Sequence, residues 1–430
     1  MGFRPWTDWD RINRHERERR QIERFARFFR TQLLPFSPHY RELAKNLGIR
    51  PEHIRTWSDF RNLPFTTKAD VVPSESNPLG PKNFVLQPSA ELIRSELKGL
   101  DLARFAMRKI VGGQAKLAAD LVREYSPVSA FFTTGRSATS LPFLLSQYDL
   151  ELLRTTGRRI NDVLALSPVR DKIVSLFPYA PHLAFWQVHE CGQAGGLLTL
   201  STGGGRCMES DRILGAIERM KATLVCGMPG YFYHILRKAQ ADGIKLDFIE
   251  KVALGGENVS PEMKSRISEM LRSMGAKSPH VVSVFGFTEA RQCWTECTGA
   301  PDTGFHLSPD FGIFEVVDPA TGEPVGDHET GELVYTSLDG RGTVLLRYRT
   351  GDIVEGGLSH EACPGCGRTM PRLASHIRRV SNVKSLAISK VKGALVNLNS
   401  IAEHLASQRD VEEWQVVIAK ENDDPLELDT

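Results

Sequence analysis

The feature that most constrains the fold of this chain is an alternation of short apolar runs with amphipathic segments between about residues 170 and 290. Strands buried inside a parallel sheet read as short, continuous apolar runs, and the helices that connect them cover both faces of the sheet. The pattern therefore predicts an α/β fold with parallel or mixed sheets flanked by helices. The runs expected to form strands are 172–177, 196–200, 223–226, 248–254 and 280–285.

Two helices can be placed between these runs from their end signals. Ser260 followed by Pro261 is typical of a helix start, and Gly275 of a helix end. Ser210 is expected to open a second helix by capping it. Both helices carry an apolar stripe that is expected to face the sheet.

The length of the chain and changes in its local sequence pattern predict several lobes. Its 430 residues exceed what one hydrophobic core normally supports. We interpret 1–377 as a large N-terminal domain and 378–430 as a small α+β C-terminal domain with a helix near 399–407 and a strand at 414–418. Within the large domain we expect a helical segment at 1–70, an insertion at 75–125 and a small β-rich lobe at 300–377. Glycine-rich turns there predict hairpin strands at 312–317, 331–338 and 343–348.

Composition favours a small-molecule partner. The chain carries 54 basic and 52 acidic residues. This near balance argues against a strongly positive electrostatic field of the kind that binds nucleic acids, and against intrinsic disorder. The arginine-rich segment 11–30 has apolar residues at helical spacing, which is typical of a solvated amphipathic helix. No window holds 18 uninterrupted apolar residues, and the N-terminus lacks the core of a signal peptide. We therefore expect no membrane association and a cytoplasmic location.

Three polar elements follow apolar runs and are expected to form one site. They are the segments 255–258 (Gly-Gly-Glu-Asn), 285–289 (Phe-Gly-Phe-Thr-Glu) and 348–352 (Tyr-Arg-Thr-Gly-Asp). Ligand-binding groups of α/β proteins gather in turns that follow strands. Because 344–346 is apolar, we expect Asp352 in a tight turn after a strand, where its carboxylate can accept two hydroxyl hydrogen bonds.

A fourth element, 131–140, is rich in hydroxyl groups. It combines five Ser or Thr hydroxyls with Gly135 and Arg136 after an apolar entry. Such a loop can hold phosphate oxygens through backbone N–H groups, hydroxyls and a guanidinium. It is not a loop of the GxxxxGK[ST] kind, and these residues alone are equally compatible with a polar surface loop.

The cysteines suggest a metal site. Cys363 and Cys366 form a CxxC knuckle, and Cys297 and His306 lie nine residues apart. Three thiolates and one imidazole can form a closed tetrahedral zinc site, with Cys293 as a spare ligand. The CxxC alone is also compatible with a redox pair or with an incidental spacing.

Taken in order, the segments TTGRSAT, GGEN, FGFTEA, GELVYTSL and RYRTGD resemble the nucleotide-binding motifs of adenylate-forming enzymes, in the subgroup of phenylacetate-CoA ligase. Segments 63–68 (LPFTTK), 227–231 and 322–333 resemble further elements of this subgroup. The resemblance covers nearly the whole chain except the insertion. It implies an adenylation domain at 1–377, a C-terminal lid domain at 378–430 and a homodimer.

The resemblance also implies site roles. Asp352 would hold the ribose hydroxyls, Thr288 the α-phosphate and Glu289 a Mg²⁺ ion. Arg136 and Arg349 are the expected cations around the phosphates. The residues expected to bind ATP or AMP are Thr133, Thr134, Gly135, Ser137, Gly255, Gly256, Glu257, Phe285, Gly286 and Asp352. The residues expected to line the acyl pocket are Gln187, His189, Gly227, Tyr231 and Phe287, although His189 is equally compatible with an ordinary hydrogen-bonded histidine.

The reaction implied is ATP-dependent adenylation of a small aromatic carboxylic acid with release of pyrophosphate. Transfer to coenzyme A or to a carrier-protein thiol would follow. Alternatives are adenylation of an unusual oxyanion such as nitrite in secondary metabolism, and an inactive nucleotide-binding relative that serves in assembly. Relatives often carry a cysteine knuckle, which favours structural zinc at Cys297, His306, Cys363 and Cys366.

The sequence also departs from the family pattern. The phosphate loop lacks the family's lysine and second glycine, and 378–382 (Arg-Arg-Val-Ser-Asn) replaces the Gly-Arg-x-Asp-Asp of the hinge. The chain ends where the family continues for roughly another fifty residues. We therefore expect a shortened C-terminal domain, either trimmed from a full ligase or natural.

Overall fold

The computed structural model describes residues 6–75, 77–133 and 140–379, together with two short paired strands, Lys390–Val391 and Ala394–Leu395. Its centre is a six-stranded sheet in the order β4-β3-β5-β6-β7-β8. The first five strands in this order are parallel and β8 is antiparallel to β7. The α/β prediction is confirmed. The strands are β3 (Lys172–Pro178), β4 (Leu198–Gly203), β5 (Leu224–Gly227), β6 (Lys251–Gly255), β7 (His280–Phe287) and β8 (Gln292–Thr295).

Helices cover both faces of this sheet. One face packs against α8 and α9, and the other against α10, α11 and α12. These helices are α8 (Gln147–Val163), α9 (Leu183–Gly195), α10 (Ser210–Met220), α11 (Pro229–Ala241) and α12 (Pro261–Ser273). Ser260 caps α12 by accepting a hydrogen bond from the Met263 amide. The second helix, α10, begins at Ser210 as predicted, although Glu209 and not Ser210 occupies the capping position.

The N-terminal segment is helical, and its aromatic residues form a separate core with the apolar run 344–346. Phe25, Phe36, Phe60 and Phe84 are fully buried in this core. The segment contains α1 (Arg14–Phe28), α2 (Leu34–Phe36), α3 (Pro38–Leu47), α4 (Trp57–Arg61) and α5 (Lys68–Val71). The expected insertion contains α6 (Ala90–Glu96) and α7 (Gly99–Tyr125), and the hairpin β1 (Pro127–Phe132) and β2 (Pro142–Ser146) follows it.

The β-rich lobe contains two small antiparallel sheets. One has the order β10-β11-β12-β15 and the other β13-β14-β9. Their strands are β9 (Phe305–His306), β10 (Gly312–Val317), β11 (Gly331–Ser337), β12 (Tyr348–Glu355), β13 (Leu358–Ser359), β14 (Arg372–Leu373) and β15 (His376–Arg379).

Two expectations in this lobe were wrong. The strand predicted at 343–348 begins only at Tyr348, because the run 344–346 packs its side chains into the N-terminal core and the Val344 amide bonds to the Phe84 carbonyl there. Asp352 consequently lies inside β12 and not in a turn after it. There it pairs with Arg379 of β15.

The predicted domain boundary at 377/378 falls inside β15. The helix expected near 399–407 and the strand at 414–418 lie outside the described residues. Within the described part, no helix combines the length and apolarity needed to cross a lipid bilayer.

A buried carboxylate joins α8 to the β-rich lobe. Asp149 accepts hydrogen bonds from the backbone amides of Arg341 and Gly342 and from the guanidinium of Arg291, at 3.1, 2.7 and 2.8 Å. It also completes the capping box of α8, because the amide and hydroxyl of Ser146 donate to it. Buried charges of this kind are stable only when their hydrogen-bonding capacity is filled. Asp149 therefore fixes the helix that covers one face of the sheet.

Replacement of Asp149 by Ala should lower the free energy of unfolding by about 3–5 kcal/mol, because it leaves the Arg291 charge and two amides buried without their partner. Urea denaturation followed by circular dichroism would measure this. Glu151→Ala, which removes the exposed pair with Arg154, is the control and should cost less than about 1 kcal/mol. Equal effects of the two changes would contradict the role given to Asp149.

Candidate active site

A cavity of about 180 Å³ lies between the central sheet and helices α8 and α9. Its floor is formed by β3, β5, β6 and β7, and its roof by the two helices. Eight of the residues predicted for the site line it, namely Thr133, Gln187, Gly255, Gly256, Gly286, Phe287, Thr288 and Glu289. Charged and hydroxyl groups are concentrated at the end of the cavity where the strands finish, and the remainder is apolar apart from the amides of Asn161 and Gln187.

The alignment of β6 and β7 brings two predicted loops together at this polar end. Gly255 is in register with Val284, so both strands finish at the same edge of the sheet. A Cβ atom on Gly255 would lie 2.7 Å from the Val284 carbonyl oxygen, which requires glycine at this position. After β7 a 3₁₀ turn, Thr288–Ala290, reverses the chain into β8. The Thr288 hydroxyl donates to the Phe132 carbonyl at 3.3 Å, which ties this turn to the start of the hydroxyl-rich loop.

Glu289 presents a buried carboxylate to the cavity. Its side chain accepts a hydrogen bond from the Tyr348 hydroxyl at 3.2 Å and is 7% exposed. Burial raises the pKa of Glu289, with Asp352 adding to the rise and Arg379 opposing it. A buried carboxylate of this kind is suited to a hard cation with oxygen ligands, such as Mg²⁺.

Asp352 is paired with an arginine that the sequence analysis did not assign to the site. Arg379 donates from Nε to Oδ1 of Asp352 at 2.7 Å, while Oδ2 has no hydrogen-bond partner among the described residues. Burial raises the pKa of Asp352, and Arg379 opposes that rise. Arg379 contributes to the cavity wall and Asp352 does not. The signal for Arg379 was present in the sequence, because it occupies the arginine position of the hinge motif.

His182 is a second cavity residue that the sequence analysis missed. It precedes α9, and its Nδ1 lies 3.0 Å from the Phe132 carbonyl oxygen. This carbonyl also accepts the hydrogen bond from Thr288. The imidazole is thus oriented by a backbone atom at the polar end. No local motif distinguishes this histidine in the sequence, and only the fold places it beside Thr288.

Several residues predicted for the site do not line the cavity. Arg349 points away from it and forms an ion pair with Glu332, because residues 349 and 352 project from opposite faces of β12. His189 packs against the rings of Phe185 and Trp186. Tyr231 lies 3.3 Å from the Ser210 hydroxyl.

The other three residues outside the wall lie close to strand ends. Gly227 ends β5 against Leu176, Phe285 packs among Phe287, Trp294 and Phe305, and Glu257 is exposed after β6. Gln187 does line the cavity, but its amide oxygen is already engaged by the Cys293 amide and the Thr156 hydroxyl.

The hydroxyl-rich loop is described only at its two ends. Thr133 lines the cavity and pairs with Leu141 through backbone and side-chain hydrogen bonds, which closes the base of the loop. The predicted phosphate-binding residues Thr134, Gly135, Arg136 and Ser137 lie outside the described residues.

The cysteine and histidine side chains expected to bind zinc are clustered. Ligand atoms of Cys297, His306, Cys363 and Cys366 all lie within 4.8 Å of one another. The Sγ atoms of Cys297 and Cys363 are 3.7 Å apart, and Sγ of Cys366 lies 3.3 Å from Nε2 of His306. The other ring nitrogen of His306 faces the Thr295 carbonyl at 3.2 Å, as expected for a metal ligand held by a backbone acceptor. Cys293, expected as a spare ligand, lines the cavity.

Comparison with known proteins agrees with the geometry. Residues 147–340 match the family of AMP-binding enzymes. The chain is 24% identical to phenylacetate-coenzyme A ligase of Thermus thermophilus, over 89% of this chain and 74% of that protein. It is 22% identical to the Escherichia coli enzyme of the same name, over 78% and 65% of the two chains. The chain thus spans about two thirds to three quarters of the length of these relatives.

Solved structures share the fold. The structure of 2-hydroxyisobutyryl-CoA ligase in the postadenylation state with 2-HIB-AMP superposes with a TM-score of 0.72 at 19% identity, covering 95% of this chain and 77% of that one. The same enzyme in complex with 2-HIB-AMP and CoA gives a TM-score of 0.69 at 19% identity, with 87% and 70% covered. The resemblance of this chain to the adenylate-forming superfamily, in the subgroup of phenylacetate-CoA ligase, is therefore confirmed by the matched segment, by the similar ligases and by the shared fold.

Proposed function

We propose that this protein activates a carboxylic acid by adenylation. The observation that carries the proposal is the arrangement of one cavity, which is lined mostly by apolar side chains and ends at Thr133, His182, Thr288 and Glu289. An apolar space that finishes at hydroxyl, imidazole and carboxylate groups suits an acid whose hydrocarbon part is buried and whose carboxylate faces the nucleotide.

The proposed reaction joins a carboxylate oxygen to the α-phosphorus of ATP and expels pyrophosphate. Its main difficulty is the approach of an anion to a polyanion, so positioning and electrostatic stabilisation must supply most of the catalysis. Arg379 and His182 are the described cavity residues able to carry positive charge near this point. Glu289 would hold Mg²⁺, which would neutralise charge on the phosphate oxygens when bound. Asp352 would accept the ribose hydroxyls, as the resemblance implies.

The acceptor of the acyl group remains a proposal. Coenzyme A or a carrier-protein thiol would attack the acyl-AMP and release AMP, and the resemblance to acid-CoA ligases supports coenzyme A. The apolar length of the cavity argues against nitrite, since a three-atom anion would leave most of that space unfilled. The homodimer implied by the resemblance stays a prediction.

The proposal predicts exchange of labelled pyrophosphate into ATP that depends on a carboxylic acid. The assay should compare phenylacetate, benzoate, octanoate and nitrite at saturating Mg²⁺–ATP. Glu289→Gln keeps the side-chain volume but removes the cation ligand, and it should reduce the exchange rate by about 10²–10³-fold. Glu323→Gln, an exposed position in a turn, is the matched control. Exchange equal in the two variants would contradict the role of Glu289, and the absence of exchange with every acid would refute adenylation.

Replacement of Asp352 by Ala should weaken ATP binding by more than about tenfold, because hydrogen bonds to a charged acceptor contribute about 1.5–3 kcal/mol. Isothermal titration with a non-hydrolysable ATP analogue would measure this. Asp318→Ala changes an aspartate of the same lobe that serves only its own turn, and it controls for a general effect on the lobe. Unchanged affinity in Asp352→Ala would count against ribose binding there.

We also propose that the cluster of Cys297, His306, Cys363 and Cys366 holds a structural zinc ion. The four donors are all protein groups, so the site would be closed and would serve folding, not catalysis. Hydrogen bonds from Cys366 and His306 lower the pKa of the Cys297 thiol from its ordinary value, which favours the thiolate that a metal requires. The knuckle is tightly folded, since a Cβ atom on Gly299 would lie 1.9 Å from the Gly365 carbonyl oxygen.

Metal analysis of the untagged protein should find about one equivalent of zinc per chain. Cys363→Ser should lose the metal and lower the melting temperature, because binding energy at such a site is folding energy. Cys207→Ser, an exposed cysteine outside the cluster, should change neither quantity. Less than about a tenth of an equivalent in the unaltered protein would refute the zinc site.

A further inference from the structure

Helix α7, in the segment that the family resemblance does not cover, is a helical hairpin and not one straight helix. Its backbone is interrupted at Gly113, whose φ of 76° and ψ of 167° are non-helical. Nη2 of Arg108 lies 3.7 Å from Oδ2 of Asp120. In a straight helix these two residues would lie about 18 Å apart along the axis, so the chain reverses at the glycine. The hairpin therefore has two antiparallel arms, residues 99–112 (arm 1) and residues 114–125 (arm 2).

Each arm packs one face against the protein and turns a second apolar face outwards. Leu102 and Phe105 of arm 1 and Leu121 of arm 2 pack against the N-terminal core. On the other side of each arm, apolar residues recur at intervals of three and four, a spacing that places them along one face of a helix. All of these outward side chains are exposed. They form a stripe on arm 1, namely Leu100, Ala103, Met107, Ile110 and Val111, and a stripe on arm 2, namely Ala115, Ala118, Ala119 and Val122.

The two stripes differ in size in a complementary way. Arm 1 presents mostly bulky side chains, whereas arm 2 presents three alanines and one valine. Bulky side chains of one helix pack closely where the facing helix offers grooves between small residues. In a two-fold dimer, arm 1 of one copy can face arm 2 of the other, and the same contact is then made twice. A second copy of the chain therefore supplies the surface that each stripe requires.

Charges do not oppose this pairing. No acidic or basic residue belongs to either stripe. The three carboxylates of the hairpin are used within the chain, because Asp101 pairs with Arg104 at 3.4 Å, and Asp120 and Glu124 lie 3.7 and 3.5 Å from Arg108. Two facing pairs of stripes would thus bury apolar side chains without bringing like charges into contact.

The exposed apolar area matches what a stable dimer needs. The five large side chains of the two stripes are between 58% and 79% exposed. They are five of the twelve large apolar side chains that the described part of the chain exposes, so this exposure is concentrated on one element. Burial of such side chains removes on the order of 100 Å² each from water, or on the order of 500 Å² for the five. A standard interface buries about 800 Å² on each subunit, of which about 65% is apolar in homodimers.

We infer that two copies of this chain associate through their α7 hairpins, which form a four-helix bundle around a two-fold axis. The homodimer implied by the resemblance is thereby given an interface, on a segment that lies outside the resemblance. The inference does not depend on the proposed adenylation, because no residue of the two stripes lines the cavity.

Sedimentation velocity of the full chain tests the inference. At micromolar concentration we expect a species of twice the 48.0 kDa mass of one chain. The double change Met107→Glu and Ile110→Glu would place charges inside the apolar interface, and it should raise the dimer Kd by at least about a hundredfold. Ala118→Glu on the other arm should have the same effect independently. Glutamate preserves helix propensity and these positions are exposed, so circular dichroism should show unchanged helix content.

Lys109→Glu is the matched control. Lys109 is exposed on the same arm, but helical spacing places it outside the stripe, so the same new side chain should leave the dimer Kd within about threefold. A chain that stays monomeric up to about 50 µM would overturn the inference, and the stripes would then be open to lipid or to a different protein. A dimer that survives both stripe variants, or that Lys109→Glu weakens as much as they do, would also overturn it. Pyrophosphate exchange is not needed to reach any of these outcomes.

Discussion

The close approach of β6 and β7 determines the geometry of the site. The two strands run parallel and in register, so the segments that follow them emerge side by side at one edge of the sheet. Gly255 permits this approach because a side chain there would collide with the Val284 carbonyl. The cavity then lies beneath α8 and α9, and Asp149 fixes α8 to the β-rich lobe. The strand register, the glycine at 255 and the anchored helix together place hydroxyl and carboxylate groups at one end of an apolar space.

Local sequence patterns were sufficient to predict the strands of the parallel sheet and the start of α12. The apolar runs between 172 and 285 predicted the parallel strands, and Ser260 with Pro261 predicted the start of α12. The segments 255–258 and 285–289 were expected at strand ends and lie there. Each of these signals is contained within a few neighbouring residues, so tertiary packing had little opportunity to override it.

Expectations that depended on long-range packing were less accurate. The run 344–346 was interpreted as a strand, but it packs into the N-terminal core, which shifts the strand onto the segment that contains Asp352. Arg349 has the charge required near phosphates, yet strand alternation directs it to Glu332. His182 lines the cavity without a distinctive local motif, and Arg379, although it occupies the arginine position of the hinge motif, is brought to the cavity by the pairing of β15 with β12. Only the three-dimensional arrangement identifies such residues.

The pairing of Asp352 with Arg379 connects β12 to the last residue of β15. Arg379 is the last residue of β15, and the polypeptide continues directly from it towards the C-terminal segment. Any ligand that competes for the Asp352 carboxylate must therefore act on the residue from which that segment departs. The Asp352 carboxylate and the residue that ends β15 are thus joined through a single guanidinium.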